Sequence, residues 1–195
     1  MKPKFIIVAG VNGSGKSTFY DTFPDFFMDT KRINADEILR SNGWDWRKMS
    51  DNMKAMREVI QLMNHAIENR ISFHQETTLS GQGQKKWIEK AKQNGFEVIL
   101  LYVGLKDADL AIERVQQRVA KGGHGIPQET IRKRFQQSLK NLESIASLCD
   151  RVELYDNTDG FTVVYQRNHN HIITELPQNV KWVPDSFNNR KGWFK

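Results

Sequence analysis

The chain of 195 residues has a single cysteine, Cys149. That excludes an internal disulfide and any multi-cysteine metal site. Cys149 falls in an apolar helical pattern and is expected as a buried structural thiol. No apolar run approaches the length that crosses a membrane. The opening MKPKFIIVAG has too short an apolar run for a signal peptide, and a glycine-rich loop follows at once. A soluble, cytoplasmic protein is expected. Internal repeats and low-complexity segments are absent. His124 has no companion histidine at metal spacing, and His169 with His171 shares one strand face without further ligands, so zinc has little support. What the chain does have is 29 Lys and Arg against 23 Asp and Glu, a net charge of +6. Anionic partners follow: nucleotides, phosphorylated metabolites or nucleic acid. A hydrophobic share of 38% is enough for one core, and the length suits one domain, 1–195.

Residues 4–10 form a continuous apolar run, as expected of a central parallel strand buried on both faces. A helix should open near Lys16. Residues 29–34 read as a short strand, and NADEILR as a short helix. A long helix is expected over 49–70, with Met53, Met56, Ile60, Met63 and Ile67 as its core-facing stripe. SFHQETT (72–78) is a strand entering a loop, and 82–94 a helix. FEVILLYVGL (96–105) is the second clear buried strand. Helices are expected over 107–121 and 128–148, broken by GGHGIP, with Pro127 near the first turn of the second. RVELYDN (151–157) is a strand. FTVVYQRN and HIITELP form a terminal hairpin between turn signals. The tail from Lys181 shows no period. Alternating strands and helices predict an α/β fold with a mainly parallel sheet flanked by helices, of the P-loop NTPase type. A helical lid (about 107–148) and a C-terminal hairpin with its tail (about 160–195) complete it.

Gly10-Val-Asn-Gly-Ser-Gly-Lys-Ser17 fits GxxxxGK[ST]. Gly10, Gly13 and Gly15 let the backbone around Asn12 and Ser14 turn tightly, so that N–H groups converge on an anion. The following helix, opening with Ser17 and Thr18, adds its positive end. Lys16 supplies a point charge to the β- and γ-phosphates, and Ser17 offers a hydroxyl to Mg²⁺, which shares its shell with phosphate oxygens. A chance match has a probability of roughly 1% in such a chain, so the loop is strong evidence for nucleoside triphosphate binding. No NKxD guanine-reading motif appears, and no apolar run ends in a convincing ATPase Asp-Glu pair. A small chain with this loop and no motor machinery points to a small-molecule or polynucleotide kinase.

A kinase needs a base near the acceptor hydroxyl, groups that hold the acceptor, and cations over the transferred phosphoryl group. Asp36 follows the second strand, at the sheet edge where ligands collect. It could accept a proton or help hold Mg²⁺; equally, Asn34 or Asp36 could be a helix cap. Glu76 with Thr77, Thr78 and Ser80 ends the next strand and makes a set suited to a polyol; Thr78 or Ser80 could equally cap a helix. Arg114, Arg118 and Lys121 precede GGHGIP, and Arg132 and Arg134 follow it. Two helices joined by such a turn suit a mobile lid whose arginines neutralise developing charge, against the plainer reading of a solvated basic face. His124 could contact phosphate, cap or simply fill the loop. Asn157 and Thr158 could lie near adenine, or form an Asx turn.

Taken together, these blocks resemble the zeta toxin family, in particular a short bacterial branch of P-loop kinases. The similarity spans about 4–160. Its carriers are AGVNGSGKST, INADEI, ETTLS, RVQQRVAKGGHGIPQETIRKRFQQSLKNL and LYDN, the GGHGIP block with its arginines being the most distinctive. Characterised zeta toxins use ATP to phosphorylate the 3′-hydroxyl of UDP-N-acetylglucosamine. The resemblance implies Lys16 and Ser17 for ATP-Mg²⁺, Asp36 as base, Glu76 as the acidic substrate contact, and Arg118 with Arg114 as transition-state arginines. Where the family has a second such arginine, just before the lid proline, this sequence has His124, a weaker clamp when neutral. Arg132 and Arg134 are the nearby cations. A nucleotide-sugar substrate is implied and an antitoxin protein is allowed as partner. Nucleic acid is disfavoured, because aromatics do not interleave with basic residues as a stacking platform requires. A nucleotide-dependent binding switch is the non-enzymatic alternative.

Overall fold

The computed structural model describes residues 2–123, 125–174 and 176–187. Among them, seven strands form one sheet in the order β2-β3-β1-β4-β5-β6-β7. The strands are β1 (Lys4–Ala9), β2 (Lys31–Ile33), β3 (Phe73–Thr77), β4 (Glu97–Gly104), β5 (Arg151–Asp156), β6 (Thr162–Asn168) and β7 (His171–Thr174). The first five pair in parallel, and β6 and β7 extend the sheet antiparallel. The expected mainly parallel sheet, its flanking helices and the terminal hairpin are therefore all present.

The apolar runs find their reason in the two faces of the sheet. Phe5, Ile7 and Ala9 of β1 enter the larger core, while Ile6 and Val8 enter a second one on the opposite face. A strand buried on both sides has no polar alternation. Helix α1 (Lys16–Thr22) is short, and an aromatic cluster completes the cover of that second face. Phe19 sits at its centre, with Phe23, Tyr155 and Phe161 at ring distances of 4.6, 4.8 and 5.4 Å. On the first face lie α2 (Ala35–Ser41), α3 (Met49–Glu68) and α4 (Gln84–Gln93), and α5 (Ala108–Ala120) packs on α6 (Gln128–Ala146). Cys149 is buried as expected, and burial pushes its thiol up to about 12. No described helix is long and apolar enough to cross a membrane.

The stripe expected on α3 is only half correct. Met63 and Ile67 are fully buried, but Met53, Met56 and Ile60 are exposed, as is Met49 at 78%. The face that packs runs through Ala55, Val59, Met63, Ala66 and Ile67. It is offset by one residue, about 100° around the helix, over the first three turns. Small side chains win there because they let α3 lie close to its neighbours. Among the described residues of the tail, Trp182, Val183 and Phe187 are buried in the larger core despite the lack of a period.

Candidate functional site: a phosphate cradle facing an arginine wall

The loop between β1 and α1 turns on glycines that no other residue could replace. Gly13 has φ +86°, and a Cβ there would lie 2.5 Å from the Ala111 carbonyl oxygen. Gly15 has φ +97°, and a Cβ would meet the Asn157 side chain at 2.4 Å. The loop is thus drawn against both α5 and the end of β5. Ser14 is buried. Lys16, 6% exposed, curls over the loop and donates to the carbonyls of Gly10 (2.7 Å) and Val11 (3.1 Å). Its Nζ lies 3.7 Å from Glu76 Oε1. Burial lowers the Lys16 pKa; Glu76 opposes this, and the positive charge of Arg118 reinforces it.

Sheet register delivers Glu76. Val8 is paired with Glu76 and Ala9 with Thr77, so Glu76 stands beside the loop's entry. Its second oxygen is 3.4 Å from Asn34 Nδ2 and 3.9 Å from Arg32. Asn34 is the cap of α2: its side chain accepts from the backbone N–H groups of Asp36 and Glu37. Capping therefore falls to Asn34, and the exposed Asp36 carboxylate is left to face the cleft.

The opposite wall is built from the helix pair. Arg114, Gln117 and Arg118 of α5 and its C-cap Lys121 stand at i, i+3, i+4 and i+7, and so share one face; all four line the cleft. Arg114 donates to the Thr158 carbonyl at 2.9 Å. On α6, Arg134 donates to Asn12 Oδ1 at 2.9 Å, tying that helix to the phosphate loop. Gly123 sits so close to the stem of Arg118 that a Cβ would come within 2.6 Å of its Cγ. The whole cleft encloses about 1150 Å³, room for a nucleotide and a second ligand.

Several expected site residues lie elsewhere. Arg132 points away and pairs with Asp109 at 2.6 Å. Thr77, Thr78 and Ser80 do not line the cleft. Leu79 adopts φ +56° and plants its side chain in the core at 1% exposure. The chain therefore turns after Thr77; Thr78 and Ser80 bond each other at 2.8 Å, and Thr77 Oγ1 accepts from Leu79 N–H. Neither Thr78 nor Ser80 caps a helix, since α4 opens only at Gln84. Asn157 does line the cleft, but its amide is used on the protein, donating to the Ser14 carbonyl at 2.8 Å. The expectation for His124 lies outside the described residues.

Sequence reasoning missed Arg32, Arg40, Trp46 and Asn52, which line the cleft's acidic end, and Phe161 near the Asn157 turn. Arg32 bonds Glu37 at 3.0 Å and stacks 4.3 Å over the Tyr20 ring. Its one signal was a cation at the carboxyl end of an expected parallel strand.

A nucleotide-type cradle at the carboxyl ends of parallel strands, faced by arginines, defines a P-loop phosphotransferase. The chain belongs to the zeta toxin family, whose model matches residues 1–170. An uncharacterized protein of Haemophilus influenzae is 34% identical over 135 residues, 69% of this chain and 94% of that protein. Among solved structures, one from the PezAT chromosomal toxin–antitoxin system of Streptococcus pneumoniae matches with TM-score 0.61 and 19% identity, over 85% of this chain and 72% of its own. A chain of the AvrRxo1-ORF1:AvrRxo1-ORF2 complex with sulphate ions gives 0.70 and 13%, over 89% and 61%. A chain of the Pnkp1/Rnl/Hen1 RNA repair complex gives 0.60 and 21%, over 73% and 46%. This chain thus spans less than two thirds of the last two, and at these identities all three show a shared fold.

Proposed function

We propose that the protein transfers the γ-phosphoryl group of ATP to a hydroxyl of a UDP-amino sugar such as UDP-N-acetylglucosamine. The observation that carries this reading is the convergence, in one cleft, of Lys16, Glu76 and Asp36 with Arg114, Arg118 and Arg134 on the facing wall. The residues fit ATP: Gly13 and Gly15 let the loop turn at positive φ while packed against α5 and the end of β5, and a buried cation stands at its edge. Gly10 to Thr18 would hold the phosphates, and ATP supplies the activated phosphoryl group. Among the described residues no group of three or more His, Cys, Asp or Glu could hold a metal ion. Mg²⁺ would therefore share its shell between phosphate oxygens and the side chains of Ser17 and Asp36.

Asp36 takes the acceptor's proton, and Glu76 binds the acceptor. Arg32 and Arg40 add positive charge at that end, suited to a diphosphate. Arg118 and Arg114 face the charge that develops during transfer. The helix pair over 107–148 acts as the lid of one kinase domain. A separate antitoxin would act by occupying this cleft.

Transfer to a polynucleotide 5′-hydroxyl is the second reading, favoured by the fold shared with the RNA repair complex. The test is a transfer assay with ATP and Mg²⁺, offering UDP-N-acetylglucosamine, other UDP-sugars and a 5′-hydroxyl oligonucleotide separately. Products are read by mass spectrometry. A phosphorylated UDP-amino sugar is expected; transfer to the oligonucleotide alone would replace this reading with the second.

A further inference from the structure

The segment 180–187 lies beyond the residues matched by the family model, yet it bonds Asp156, the neighbour of the cleft-lining Asn157. Trp182 is 7% exposed and stacks on Tyr102 at 5.7 Å. A Cβ on Gly104 would lie 2.3 Å from its ring, so Gly104 is what lets the indole lie flat across the end of β4. Phe187 pins the far end of the segment against Tyr165 at 5.1 Å. The indole Nε1–H donates to Asp156 Oδ2 at 2.7 Å.

Asp156 is the first residue of a turn that touches both walls of the cleft. Its other oxygen accepts from Thr158 N–H at 2.6 Å and closes the turn. The next residue, Asn157, holds the phosphate loop through the Ser14 carbonyl. Thr158 holds the arginine wall: its carbonyl accepts from Arg114, and its hydroxyl accepts from Lys106 N–H at 3.0 Å. Both carboxylate oxygens of Asp156 are committed, one to the turn and one to Trp182. A bond to an ionised acceptor is the stronger kind and fixes the carboxylate's rotation.

We infer that Trp182 is a positioning residue for the nucleotide site: through Asp156 it sets the turn that holds the phosphate loop and Arg114 in register. The inference rests on the proposed nucleotide binding. The test substitutes Trp182→Phe, which keeps an aromatic ring on Tyr102 and Gly104 but removes the donor. Binding of a non-hydrolysable ATP analogue with Mg²⁺ is measured by calorimetry, well below the unfolding transition of every variant. Affinity is expected to fall about fivefold to tenfold. Asp156→Asn leaves one acceptor oxygen for two donors and should do the same, and the double variant should be no weaker than Asp156→Asn alone, because the indole donor no longer competes for that oxygen. A purely structural tryptophan would lower the unfolding temperature and leave affinity untouched. Unchanged affinity in Trp182→Phe, or fully additive losses in the double variant, would overturn the inference. If the unaltered protein binds no nucleotide, the proposed function falls first, and this inference with it.

Discussion

His74 on β3 should make the fold sensitive to mild acid. The residue is 4% exposed. Thr30 Oγ1 lies 2.7 Å from its Nδ1 and itself donates to the Phe27 carbonyl. With the hydroxyl proton assigned to that carbonyl, Nδ1–H is the donor in the pair with Thr30. The lone pair is left on Nε2, which is buried with no hydrogen-bond partner among the described residues. Tyr20 and Phe27 pack around the ring in tilted contacts at 5.3 and 4.8 Å. Burial, and then the positive charge of Arg32, lower its pKa to about 4. In the unfolded chain the imidazole titrates near 6.5. Between these values the unfolded state binds the extra proton, so stability falls as pH drops from about 6.5 toward 4 and is unaffected by this group above that window. A gap of 2.5 units corresponds to about 3 kcal/mol at most. The assay is urea unfolding from pH 7.5 to 4.5, for the protein and for His74→Phe. Carboxylate titrations are common to both and cancel in the difference. His74→Phe should have the flatter profile, its stability relative to the unaltered protein rising as pH falls. Parallel profiles across the window would refute the argument.

Asp36→Asn should reduce phosphoryl transfer by about 10²-fold or more and leave the affinity for metal-free ATP unchanged in a binding titration. Because Asn34 is the cap of α2, stability should stay within about 0.5 kcal/mol; full activity would remove Asp36 as base. Arg118→Ala should lower kcat more than it weakens nucleotide binding, since its proposed role is in the transition state. Equal losses, measured by steady-state kinetics beside calorimetry, would make it a ground-state phosphate contact. On α3, Met63→Ala should cost about 2–4 kcal/mol in denaturant unfolding. Met56→Lys, 51% exposed in the native residue, should cost no more than about 0.5 kcal/mol.

What the sequence discloses depends on whether a signal is local. The phosphate loop is legible because its four constrained positions fall within eight consecutive residues. Strands β1 and β4 are legible because burial on both faces leaves an unbroken apolar run. The α3 stripe misled for a different reason. Its methionines carry the hydrophobicity, while the buried face is completed by Ala55 and Ala66, whose contribution is closeness and not apolar area. The turn after Glu76 was hidden because a leucine at positive φ leaves no trace in composition; glycine or asparagine would have been expected there. The tail was hidden because irregular segments bury anchors at no fixed period.

Asn157 marks the boundary between these cases. Sequence placed it at the right sheet edge, yet its partner, the Ser14 carbonyl, lies 143 residues away. Strand order brings the two together, and strand order is a property of the whole sheet. The cleft inherits the same division. Some residues that line it, such as Lys16, Asp36 and Arg118, could be named from type and spacing. Those that face other residues of the site, such as Arg32 beside Glu76 or Trp182 behind Asp156, become visible only once neighbouring strands and the tail have settled against one another.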